Sequence, residues 1–147
     1  MTKNITLIIA TIALLTFCNC KKSVSQTTRP TTATVVSPKQ ETPNIEKVNA
    51  VEFSNRITDK KVQLVDVRTP NEYKGGHLKN AKNINVFDAN FMTQMAKYKK
   101  DEPVYVYCRS GGRSMKAANM LKLKGYHVVN LNRGIIGWMS NGNKTVN

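Results

Sequence analysis

The sequence predicts an α/β domain: an open parallel sheet of about five strands with helices on both faces. Two observations carry this. From Asn44 onward, short apolar runs alternate with segments of helical period. The clearest of the runs, residues 62–67 (VQLVDV) and 103–107 (PVYVY), are short and largely apolar, as expected of strands covered on both faces.

The elements follow in order. Residues 45–48 (IEKV) read as a first strand, and residues 48–58 place Val51, Phe53 and Ile57 at helical spacing. After the strand at 62–67, Thr69-Pro70 opens a short helical turn with Glu72 near its start. Residues 81–86 read as a strand, and residues 87–98 as a helix with Phe91, Met95 and Tyr98 on one face. The strand at 103–107 leads to a helix over 113–124 marked by Met115, Ala118 and Leu121, and Gly125 is placed to end it. Residues 128–131 form the last strand. There are no internal repeats.

The 147 residues leave room for one domain plus tails. Residues 5–17 (ITLIIATIALLTF) form an apolar run behind Lys3, too short to span a bilayer comfortably, and residues 1–17 are expected to be a signal peptide. Residues 18–43 are rich in Thr, Ser and Pro without period, and read as an anchor point and disordered tether. The domain is expected to occupy residues 44–147.

Twenty-three Lys and Arg against nine Asp and Glu give a net charge of +14, which favours anionic partners. The few aromatics are not interleaved with basic residues, so no nucleic-acid partner is expected. No set of Cys, His and carboxylates has zinc-ligand spacing, so no metal is predicted. Of three cysteines, Cys18 and Cys20 lie together near the chain start and leave Cys108 without a partner, which invites a reactive role.

The chemistry centres on residues 105–114 (YVYCRSGGRS): a buried strand ends at Cys108, a loop containing Gly111 and Gly112 follows, and a helix opens directly from it. In open α/β sheets ligands collect at the carboxyl ends of strands. The loop from Arg109 through Ser110 to Arg113 turns backbone amides inward as an anion nest, the helix start adds partial positive charge, and Arg109 and Arg113 add full charges. Each favours a Cys108 thiolate, the nucleophile needed to attack a sulfane sulfur.

At these residues the sequence resembles the rhodanese family, whose active-site loop begins with the catalytic cysteine and carries arginine at its sixth position. Residues 66–73 (DVRTPNEY), Gly76-His77-Leu78 and Ala81, Asn83 and Ile84 resemble that family's first characteristic stretch, and Gly125-Tyr126 with residues 131–138 (LNRGIIGW) resemble its closing one. The resemblance covers about 100 residues. Where the family usually has two glycines after the last strand, Arg133-Gly134 stands here. The resemblance implies a sulfurtransferase carrying sulfur as a Cys108 persulfide from thiosulfate or a persulfide donor to a thiol or cyanide acceptor, with no dissociable cofactor. A partner protein is an alternative acceptor. Cys18, directly after the apolar run and three residues beyond Leu15, resembles the lipidated cysteine of bacterial lipoprotein signals, with Phe17 in place of the usual small residue and Cys20 as a second candidate. This implies a lipid-anchored protein of the bacterial envelope, on the periplasmic side. An ordinary cleaved signal and an uncleaved anchor are the alternatives.

Other residues read more plainly. Asp66 and Arg68 support the loop, or Arg68 pairs with Glu72 to fix the turn. His77 is expected to be a turn residue with a backbone hydrogen bond, and Trp138 a core anchor. Two rival functions remain. A phosphatase or arsenate reductase separates cysteine and arginine by five residues, against four here. A non-catalytic binding module typically lacks the cysteine.

Overall fold

Strands Ile45–Val48, Val128–Leu131, Val104–Tyr107, Gln63–Asp66 and Lys82–Asn83 run parallel in that order across the sheet, which puts Val104–Tyr107 at its middle. In this computed structural model residues 43–147 are described; residues 1–17, Cys18, Cys20 and all but the end of the tether lie outside them. The elements are β1 (Ile45–Val48), α1 (Ala50–Ile57), β2 (Gln63–Asp66), α2 (Pro70–Lys74), β3 (Lys82–Asn83), α3 (Phe91–Met95), β4 (Val104–Tyr107), α4 (Gly112–Lys122), β5 (Val128–Leu131) and α5 (Gly134–Ser140). Among the described residues no helix is long and apolar enough to cross a membrane.

Strand alternation sorts the apolar side chains onto two faces. Val65, Val67, Val104, Val106 and Val128 meet Phe91 and Met95 of α3 and Ala117, Ala118 and Leu121 of α4. Leu64, Tyr105, Tyr107, Val129 and Leu131 meet Phe53 of α1 and Ile135 and Trp138 of α5. Trp138 anchors the second face as expected: it packs edge-on to Phe53, with centroids 6.4 Å apart, and its indole N–H donates to Lys144 O at 3.0 Å. The predicted five-stranded sheet with helices on both faces is therefore what the chain forms.

The connections explain where a site belongs. From β2 the chain moves outward to β3, and from β4 it moves the other way to β5. The loops leaving the adjacent strands β2 and β4 thus part company, which opens a crevice at their carboxyl ends.

Several elements differ from expectation. The strand expected over 81–86 is reduced to Lys82–Asn83, because beyond Asn83 the chain leaves regular pairing although Ile84 and Val86 still donate to Asp66 O and Val67 O. The helix expected over 87–98 shrinks to Phe91–Met95. Asn85 captures the Phe87 amide and the Asp88 side chain, a local pairing that competes with helix. α1 starts at Ala50 because Asn49 caps it, its side chain accepting from the Glu52 amide at 2.9 Å. α5 has no counterpart in the sequence reading. Its two glycines and lack of a capping side chain hide it.

Candidate active site

β4 delivers Cys108 to the crevice as a free and almost fully buried thiol, 1% exposed. The chain then turns through Arg109 and Ser110 to Gly111, whose φ of 105° is a conformation that glycine adopts without strain, and α4 begins at Gly112. The Gly111 amide donates to Cys108 Sγ at 3.1 Å. Burial opposes ionisation of this thiol. The Ser114 hydroxyl and the amides of Ser114, Gly111 and Ser110 outweigh it and hold the Cys108 pKa below the ordinary thiol range. Amides on both sides of the turn, from Ser110 to Ser114, thus act on one sulfur atom.

What turns those amides inward lies on the loop's outer side. Ile135 N donates to Cys108 O at 2.8 Å and Ile136 N to Arg109 O at 3.2 Å, so the first turn of α5 takes the loop's carbonyls. The approach is close enough to require glycine: a Cβ on Gly134 would stand 2.3 Å from Cys108 O. Gly134 also has a φ of 54°, and Arg133 before it has 61°, a left-handed conformation costing a non-glycine residue on the order of 1–2 kcal/mol.

The arginines part ways. Arg113 does not face the sulfur as a free cation. It makes a two-pronged pair with Glu72 of α2, Nη1 to Oε2 and Nη2 to Oε1, each at 2.6 Å. Glu72 is also joined to Thr69 in a capping box. Hydrogen bonding from Arg113 is the largest influence holding the Glu72 carboxyl down at about 2. Arg113 therefore ties the start of α4 to α2 across the crevice, and Arg109 stays exposed.

Asp66 and Arg68 pair with each other, which corrects the expected Arg68–Glu72 contact. Arg68 Nη2 lies 2.6 Å from Asp66 Oδ2, and both residues are buried. Arg68 Nη2 also donates to Gly76 O at 2.7 Å, and the guanidinium stands 5.7 Å from the Tyr107 ring centroid. None of their hydrogen bonds reaches residues 108–113. They shape the β2 side of the crevice by packing beneath Tyr107, the residue before Cys108. Burying such a pair is costly, so removing one partner costs about 3–5 kcal/mol.

His77 takes the structural part expected of it. Its ring stacks on Tyr73 with centroids 3.8 Å apart, and its backbone bridges Val146. Sequence reasoning missed Ser114, whose buried hydroxyl lies 3.1 Å from Gly111 O and also helps lower the Cys108 pKa. Its position in the first turn of the helix after the loop was the available signal. A cavity of about 440 Å³ lined by Lys60, Lys61, Lys79 and Lys82 lies by the amino ends of β2 and β3 and contains none of these residues.

Comparison with known proteins agrees with this fold. The rhodanese-like domain family matches residues 49–141. A protein of Allochromatium vinosum named a sulfurtransferase is 36% identical over 100 residues, covering 67% of this chain and 92% of that protein. The uncharacterized protein YqhL of Bacillus subtilis is 39% identical over 80 residues, and the match spans 54% of this chain and 62% of that protein. The mitochondrial protein HIGH ARSENIC CONTENT 1 of Arabidopsis thaliana is 35% identical over 91 residues, with 54% of each chain covered. Among solved structures, a rhodanese-like domain protein from Staphylococcus aureus superposes with a TM-score of 0.58 at 32% identity, covering 63% of this chain and 90% of that one. A parallel sheet with its cysteine loop at the central strand, matched by this family over most of the described residues, makes the chain a member of the rhodanese-like family.

Proposed function

We propose that the chain is a sulfurtransferase that carries sulfane sulfur on Cys108. The observation that carries this is the cradle of loop amides around a buried, pKa-lowered thiol. In the first step the Cys108 thiolate attacks the outer sulfur of thiosulfate. The donor's sulfur–sulfur bond breaks, sulfite leaves with its electron pair, and Cys108 holds a persulfide. In the second step cyanide or a thiolate attacks the outer sulfur, and the Cys108 thiolate departs. The thiolate before reaction and the anionic persulfide after it have the same charge, so one fixed set of donors serves both. The relative named a sulfurtransferase supports the reading. A persulfide donor in place of thiosulfate, and a partner protein as acceptor, use the same steps. The proposal includes attachment to the bacterial envelope through lipid on Cys18, with residues 18–43 as the tether.

The arsenic-related name of one relative favours a second reading, arsenate or phosphate chemistry. Against it, four residues separate Cys108 from Arg113, and Arg113 is committed to Glu72.

The test is the intact mass of the full chain before and after thiosulfate, with Cys108→Ser alongside. A gain of one sulfur that cyanide removes and Cys108→Ser lacks is the expected result. Cys108→Ser retaining full sulfur transfer would sink the mechanism. No gain with thiosulfate or a persulfide donor would leave a binding module, or, if an arsenate or phosphoester assay is positive, the second reading.

A further inference from the structure

We propose that Arg133 recruits the anionic donor at the Cys108 site, acting with Arg109 on the donor's oxyanion end. The inference rests on the sulfur-donor reading for the identity of the anion, and on geometry for the rest.

Position comes first. The Gly111 amide stands 3.1 Å from Cys108 Sγ. The point where a Cβ on Gly111 would lie is 3.4 Å from Arg133 N and 3.9 Å from Arg133 Cα. The Arg133 backbone therefore abuts the cradle itself. Its side chain leaves over Gly137, where a Cβ would stand 2.7 Å from Arg133 Cβ. The absence of a side chain at 137 keeps that exit clear.

Cost comes second. Arg133 holds a φ of 61°, a conformation that glycine takes freely and arginine does not. Arg133 is exposed, and its guanidinium makes none of the hydrogen bonds or ion pairs found among the described residues. A long cationic side chain at a strained position, with no partner among the described residues, fits a residue kept for what arrives from solution.

Charge comes third. Arg113 is neutralised by Glu72. Arg109 is exposed on the loop, and Arg133, whose backbone adjoins Gly111, is exposed beside it. A fixed positive charge here raises the local concentration of anions without taking part in bond making, so its effect falls on KM and not on kcat.

The test uses the full chain with Arg133→Gly and Arg133→Lys. Glycine suits this φ, so Arg133→Gly is expected to melt at a higher temperature than wild type. It should also raise KM for thiosulfate several-fold with kcat unchanged, the order of effect that one nearby charge has on a dianion in water. Arg133→Lys should recover most of that loss. A second readout needs no sulfur transfer: alkylation of Cys108 by anionic iodoacetate and by neutral iodoacetamide, followed by peptide mass. The iodoacetate-to-iodoacetamide rate ratio should fall about twofold to threefold in Arg133→Gly. An unchanged ratio and an unchanged KM would make Arg133 a mere loop residue and overturn the inference. A lowered ratio in a protein that does not turn over thiosulfate would uphold anion recruitment and overturn the sulfur-donor reading alone.

Discussion

Gly134→Ala places a methyl group where the backbone of the reactive loop already lies. The new Cβ would stand 2.3 Å from Cys108 O and 2.7 Å from both the carbonyl carbon and oxygen of Arg109. Backbone atoms cannot swing aside as a flexible side chain does, so loop and helix must separate by about 1 Å to reach ordinary contact. Overpacking of this kind costs about 1–3 kcal/mol. The φ of 54° adds on the order of 1–2 kcal/mol for alanine. Together these reach about 2–5 kcal/mol, a large part of the 5–15 kcal/mol that holds a typical domain. Urea unfolding should show the midpoint falling by about 1 M or more. Iodoacetamide should alkylate Cys108 more slowly at neutral pH, because displaced carbonyls turn the amides off the sulfur. Gly142→Ala supplies the control: its φ is 77° but nothing lies within 4 Å of a Cβ there, so it should show the conformational cost with no effect on the thiol. If Gly134→Ala stays within about 0.5 kcal/mol of Gly142→Ala and Cys108 reacts as in wild type, α5 does not set the loop.

Two further outcomes are expected. Glu72 is held at about 2 in the folded chain against an ordinary 4.5, so its pair with Arg113 stabilises the fold above pH 4.5 and is lost as pH falls through 2. The pair is partly exposed, so Glu72→Gln should cost only about 1 kcal/mol at pH 7, and its chemical unfolding curve should merge with wild type near pH 2; a gap that persists there would contradict the assignment. Ser114→Ala removes one hydrogen-bond donor from a charged sulfur. It should raise the pH at which Cys108 alkylation reaches half its maximum and slow the reaction about tenfold at pH 7, and an unmoved pH profile would rule out the hydroxyl.

The central strands and the reactive loop were legible because their signals are local. β2 and β4 appear as apolar runs, and Cys108 follows the second of them before a glycine turn. What stayed hidden depends on burial and on partners that tertiary packing chooses. Arg113 pairs with Glu72, 41 residues away, and nothing near Arg113 tells a structural clamp from a substrate cation. Arg68 has Glu72 at the helical spacing of four, yet it pairs with Asp66 because its side chain is buried beside that carboxylate. α5 carries two glycines that lower helix propensity, and both are required by close approach, Gly134 to Cys108 and Gly137 to Arg133. The edge strand β3 was overread because Ile84 and Val86 are buried by packing without belonging to a regular strand.

The dependence of the Cys108 loop on α5 has a consequence for heat. α5 is seven residues long, held by its packing on Phe53 and, just past it, by the bridge between Val146 and His77. A short helix opens at lower free energy than the sheet it covers. Each such opening releases the carbonyls of Cys108 and Arg109 while β1 through β5 stay paired. Warming should therefore lower the reactivity of the thiol in a chain that still gives the circular dichroism of a folded protein, so that the state of Cys108 at elevated temperature follows the grip of α5 and not the melting of the core.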